Sequence, residues 1–221
     1  MEPRTAIVFG ATGMVGNILL EELINSPAYS VIKIFVREST DISEPKVQEI
    51  ITDVSNPDSY SAEITGDDLF ICLGTTIKKA GSVANMEKID RDLPVQIARQ
   101  ARNNGIKNIA VVSSIGASET SRNYYLRIKG EMEKGILNLN FDNTAIVRPS
   151  MLLGERKERR RGEMVGKVVM KTFQPVLIGK LLKYRAIHAS DVARSMILIM
   201  HKKRGKNIFE SDELQKIAKE Y

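Results

Sequence analysis

Cysteine appears once in this chain, histidine twice and tryptophan not at all. A single thiol, Cys72, excludes an internal disulfide framework and a cysteine-rich zinc site. It fits a reducing compartment. His188 and His201 lie apart without ligand spacing, so no metal site is expected. Aromatic residues make up 5% of the chain, too few to stack bases, and no helix-turn-helix or RNP-type signature occurs. The formal charge of +6 therefore reads as a mildly basic surface, with no nucleic-acid partner. The densest basic run, 155–161, has acids interleaved and reads as a solvated segment. No stretch approaches the ~18 apolar residues of a membrane span, so no membrane partner is expected. The opening M-E-P-R-T-A-I-V-F-G lacks the basic-then-apolar layout of a secretory signal. These absences together predict a cytoplasmic protein. A G-x-x-x-x-G-K-S/T phosphate loop is also missing, which disfavours a P-loop NTPase.

What is present is an alternation. The 221 residues are 43% hydrophobic and 27% charged, an ordinary globular balance with material for a sizeable core. Short apolar runs at 5–9, 31–36, 47–51, 69–73, 108–113 and 145–147 read as strands. Helical patterns at 14–24, 93–102 and 122–137 lie between them, and Gly105 suits the end of the second. Largely apolar strands interleaved with helices predict an α/β fold, a doubly wound parallel sheet covered on both faces. After Pro149 the pattern changes. Residues 162–173 and 176–182 look helical, 186–188 reads as a short strand, 191–200 as a helix capped by Ser190, 207–209 as a last strand and 212–219 as a last helix. No repeat or low-complexity linker breaks the chain, so one domain over residues 1–221 is expected.

The first strand runs into Gly10-Ala-Thr12-Gly13-Met14-Val15-Gly16 and then a helix. Glycines in strand–turn–helix context allow a tight turn, close approach to a pyrophosphate and close helix packing. The helix start offers free N–H groups to phosphates. This predicts a dinucleotide site. At the end of the second strand, Arg37 would accommodate a 2′-phosphate, which favours NADP over NAD. Glu38 opposes this if it turns inward. Asp53, followed by Val54, ends the third strand; it could bond an adenine amino group or cap the turn before Pro57. Leu73-Gly74-Thr75 follows the fourth strand, and Gly74 would let the backbone pass close to the cofactor. Cys72 reads as a small buried hydrophobe.

The fifth strand ends in Ser113-Ser114, and Tyr125 and Lys129 stand four apart on the next helix, on one face. Strand ends are where ligands bind in such sheets. A phenol normally titrates near 10, and a neighbouring ammonium favours its ionised form. Such a Tyr can give a proton to a carbonyl oxygen as hydride arrives, while a serine hydroxyl orients that oxygen and the lysine bonds the nicotinamide ribose. Tyr124, one step away, lacks the four-residue spacing.

The segments G-A-T-G-M-V-G, V-V-S-S-I-G-A and Y-L-R-I-K-G-E resemble the atypical branch of the short-chain dehydrogenase/reductases. The segments C-L-G-T-T, I-D-R-D and R-P-S-M-L-L-G-E-R are more specifically similar to the Tat-interacting-protein family of NAD(P)H-binding oxidoreductase-like proteins. The likeness spans about residues 6–156, with a weaker echo at I-H-A-S-D-V-A-R-S-M. It implies a Rossmann-type fold, NADPH binding and a Ser-Tyr-Lys triad of Ser113, Tyr125 and Lys129, with Ser114 as the other serine. It also implies that Pro149 and Met151 pass the nicotinamide end. The resulting expectation is an NADPH-dependent oxidoreductase acting on a small-molecule carbonyl, with residues 150–221 covering the cofactor cleft and a homodimer left open. A cofactor-binding regulator with little turnover and a nucleotide-sugar epimerase or dehydratase are the alternatives.

Overall fold

In the computed structural model, which describes residues 3–154 and 177–221, strand β1 (Arg4–Phe9) sets the architecture. Ala6 and Val8 enter one core and Ile7 and Phe9 another, and all four are fully buried. A strand apolar on both faces has to be covered twice. The chain continues through α1 (Met14–Asn25), β2 (Tyr29–Val36), β3 (Val47–Ile51) and β4 (Asp68–Ile71). Two short helices follow, α2 (Ile77–Ala80) and α3 (Val83–Glu87), and then α4 (Leu93–Asn103). Next come β5 (Asn108–Val112), α5 (Tyr124–Leu137) and β6 (Asn143–Arg148). The described C-terminal elements are β7 (Leu152–Leu153), β8 (Ile187–His188), α6 (Ala189–His201), β9 (Ile208–Glu210) and α7 (Ser211–Ala218).

Seven strands pair in parallel in the order β3-β2-β1-β4-β5-β6-β9, and β7 pairs with β8. Helices α1, α6 and α7 cover one face through Leu19, Leu23, Met196 and Leu214. Helices α4 and α5 cover the other through Ile97, Met132 and Ile136. This is the doubly wound, Rossmann-type sheet that the alternation predicts. Its strand order reverses between β1 and β4, so a crevice opens at their carboxyl ends.

The departures from the sequence reading have local causes. β4 stops at Ile71 rather than Leu73, because the chain crosses close over Gly10: a Cβ there would lie 2.7 Å from the Cys72 carbonyl oxygen. β5 ends at Val112, although the Ser113 N–H still donates to the Val147 carbonyl at 2.8 Å. α5 begins at Tyr124, where the Asn123 side chain accepts the Leu126 N–H. α6 starts directly off β8 with His188 as its cap, so Ser190 lies inside the helix. Gly105 stands one residue past the α4 cap, at φ +87°, where the chain turns left-handed. The helical pattern at 162–173 lies outside the described residues, and the next becomes a 3₁₀ turn, Gly179–Tyr184.

A 3₁₀ turn at Pro57–Glu63, the short helices α2 and α3, and β7 were not foreseen, nor was the feature that bears most on the site. Between α3 and α4 the helix widens into a π turn, Lys88–Asp92. Pro94 follows in the first turn of α4. In an unbroken α-helix its ring would collide with the Asp90 carbonyl, and it has no N–H to offer that oxygen. The wide turn falls where this conflict arises, and it carries Asp90 to the crevice.

Candidate functional site

A cavity of about 980 Å³ opens at the crevice. Its floor is the glycine turn. Gly10 adopts φ +84°, and the Gly13 N–H donates to its carbonyl at 3.0 Å. At Gly16 a Cβ would fall 2.0 Å from the same carbonyl. Gly10 and Gly16 thus let turn, strand and helix close up, while Thr12, Gly13, Met14 and Val15 face the cavity. Gly13 caps α1 without a side-chain hydrogen bond, and no acid sits in the first turn. No carboxylate of the first turn therefore competes with an anion at the amide end of this helix. These features fit the pyrophosphate of a dinucleotide.

Leu73, Gly74 and Thr75 form the wall after β4. Cys72 is partly buried beside them, and burial pushes its thiol up to about 12, so it is no thiolate nucleophile at neutral pH. Ser113, Ser114, Tyr125, Lys129 and Pro149 complete the opposite wall. A second hollow of about 450 Å³ is bounded by Arg37, Ile51, Thr52 and Asp53. Arg37 and, next to it in the chain, Glu38 are both exposed. Asp53 accepts from the Ser55 N–H at 3.0 Å and its hydroxyl at 2.6 Å, so it caps its own turn. Those bonds, with Arg37 nearby, hold its carboxyl below the ordinary range. Val54 is buried in the core and Met151 is exposed; neither belongs to the cavity wall.

The sequence placed Tyr125 and Lys129 together, and the cavity receives both. Tyr124 lies outside it, with the Arg127 guanidinium 5.2 Å from its ring centre. Two partners went unforeseen. The Lys129 ammonium lies 2.8 Å from Asp90 Oδ1, with both side chains almost wholly buried. Asp90 Oδ2 accepts the Thr75 N–H at 3.0 Å. Ser113 is buried and its hydroxyl donates to Glu133, whose carboxylate also receives two donors from Arg148, one at 2.9 Å. Ser114 is partly exposed. The available signals were faint: Asp90 lies in the I-D-R-D segment, and Glu133 stands one turn beyond Lys129 on α5.

A glycine floor for phosphates and a wall of phenol, ammonium and hydroxyls match the family model described as NAD(P)H-binding, which covers residues 10–203. The chain belongs to this NAD(P)H-binding family. Protein FMP52, mitochondrial, of Candida albicans is 34% identical over 199 residues, 87% of this chain and 86% of the relative. Protein HTATIP2 of Rattus norvegicus is 33% identical over 171 residues, 76% of this chain and 70% of the relative. The oxidoreductase ylbE from Lactococcus lactis superposes with a TM-score of 0.68 at 16% identity, over 98% of this chain and 95% of its own, and so shares the fold. The family resemblance drawn from the segments is thereby borne out. The cytoplasmic expectation is not: FMP52 relatives from several organisms are named mitochondrial. The single thiol and the lack of a membrane span and a secretory layout carried that expectation, and none of these speaks to amphipathic, arginine-rich organellar addresses.

Proposed function

We propose that this NAD(P)H-binding protein is an NADPH-dependent oxidoreductase that reduces the carbonyl of a small molecule. The observation that carries this reading is the meeting of Tyr125, Lys129 and the serine pair on one wall, across from the glycine floor. When bound, the reduced nicotinamide supplies a hydride to the carbonyl carbon and is itself oxidised. The chain's own groups do the rest. Tyr125 gives its phenolic proton to the carbonyl oxygen, completing the alcohol. A serine hydroxyl donates a hydrogen bond to that oxygen. Ser113 meets the resemblance; Ser114 is the partly exposed alternative, since the Ser113 hydroxyl donates to Glu133. Lys129 supplies positive charge beside the phenol and donors for a ribose hydroxyl. Arg37, at the second hollow, would hold the 2′-phosphate that separates NADP from NAD.

A second reading has one observation in its favour. Ser113 and Lys129 both have internal partners, Glu133 and Asp90. A regulator that binds NADPH without turnover would show the same groups tied down.

Turnover of NADPH against a panel of aldehydes and ketones separates the two. Tyr125→Phe is expected to lower kcat by roughly 100-fold or more while NADPH affinity stays the same. Tyr124→Phe is expected to leave both unchanged. A Tyr125→Phe protein that still reduces the carbonyl at the parent rate ends the catalytic reading.

A further inference from the structure

A lysine ammonium and an aspartate carboxylate, both almost wholly buried, face each other at the edge of the cavity. A buried charge is tolerated when it is paired, and removing one partner leaves the other uncompensated. Here each oxygen of the carboxylate has its own task. Oδ1 lies 2.8 Å from Lys129 Nζ on α5. Oδ2 accepts the Thr75 N–H at 3.0 Å, in the segment that follows β4. At Gly74 a Cβ would come within 3.4 Å of Oδ1, so the backbone runs close over the carboxylate. The next residue, Arg91, ties the same π turn to α5 through Glu131 at 3.0 Å. One side chain therefore joins the cofactor-facing backbone to the ammonium across the cleft.

We propose that Asp90 is a positioning residue. It fixes the Lys129 ammonium relative to the Gly74–Thr75 backbone, so that the placement of this cation and the binding of the nucleotide are coupled. The proposal rests on reading the cleft as an NADPH site. The π turn is the device that delivers it, since such turns re-aim a side chain out of regular helical register. Lysine has a flexible four-carbon stem and three donors. Held by the charge of Asp90 at 2.8 Å, it loses the freedom to swing away and has donors to offer a ribose hydroxyl.

A cycle of four proteins tests this: the parent chain, Asp90→Asn, Lys129→Met and the double variant. Asparagine keeps an acceptor for the Thr75 N–H and removes the charge. Without nucleotide, Asp90→Asn is expected to melt below the parent, and adding Lys129→Met is expected to recover part of the loss. In NADPH titrations, Asp90→Asn is expected to weaken binding about tenfold in the parent and less than about twofold in the Lys129→Met background. Equal weakening in both backgrounds overturns the proposal, because Asp90 then serves the Thr75 loop alone. Coupling in the melts without coupling in the titrations also overturns it, leaving a purely structural pair. A parent chain that binds no NADPH sinks the site reading and the proposal together. A parent that binds NADPH but reduces no carbonyl removes only the catalytic reading, and the titration cycle still decides the role of Asp90.

Discussion

At Gly16 one methyl group separates a working floor from a blocked one. Its Cβ would lie 2.0 Å from the Gly10 carbonyl oxygen, backbone that cannot step aside. Gly16→Ala is expected to destabilise the chain by about 1–3 kcal/mol and to abolish NADPH binding, read by thermal melts and titration. Gly81→Ala is the matched control. Gly81 sits at φ +77° in open space, so alanine there costs about 1 kcal/mol of backbone strain and leaves binding unchanged. Equal binding losses in the two variants would remove the special role given to the turn. At this scale the sequence showed what spacing can show. Tyr125 and Lys129 were legible because a helix fixes the geometry of residues four apart. The glycines were legible because few side chains fit such a turn. Asp90 and Glu133 were not, since their partners come from other elements and only the assembled sheet brings them together.

Among the elements, α5 carries the most chemistry for its length. It presents Tyr125 and Lys129 to the cavity and Glu133 to Ser113. Its start is fixed by the Asn123 cap, whose side chain accepts the Leu126 N–H at 3.1 Å. Asn123→Ala is expected to destabilise the chain by about 1 kcal/mol. Because Tyr125 lies in the turn that frays, kcat is expected to fall more than NADPH affinity; a proportional loss in both would argue against local fraying. The strands of the seven-stranded sheet were read within one or two residues, the central ones because both faces are apolar, while β7 went unread. The π turn was hidden, since its cause combines Pro94 with packing that no periodicity reports. The α6 boundary was misread for a related reason: Ser190 is a good cap by type, but β8 sets where the helix begins.

In the molecule as a whole, a buried acid with a raised pKa stands at the end of the sheet opposite the cleft. Asp68 is fully buried, pairs with Arg4 and accepts the Tyr29 hydroxyl at 2.7 Å. His201 stacks on Tyr29 with ring centres 5.4 Å apart. Burial outweighs these partners and pushes the Asp68 carboxyl up to about 6. The folded chain thus holds a proton that the unfolded chain releases near 4. This contribution to stability is complete below pH 4 and is lost as the pH rises through 6, to the extent of about 3 kcal/mol. His201 acts in the opposite direction: partial desolvation, with the Arg4 charge nearby, lowers it, so its contribution is present at neutral pH and falls as the solution is acidified below its unfolded value. Asp68→Asn is expected to remove the loss between pH 4 and 6 while leaving NADPH affinity unchanged. Denaturant melts across that range check it, and an unaltered slope would exclude Asp68 as the source.

Ser211 is fully buried at the start of α7, and its hydroxyl takes the Ser150 N–H at 2.7 Å, directly beneath the stretch where the cleft receives Pro149 and Ser150. A polypeptide leaving the ribosome amino end first can build β1 through β6 early, but this support under Pro149 and Ser150 is synthesised 61 residues after Ser150. Nascent chains stalled before Ser211 should already resist proteases over their early strands and still fail to be retained on immobilised nucleotide.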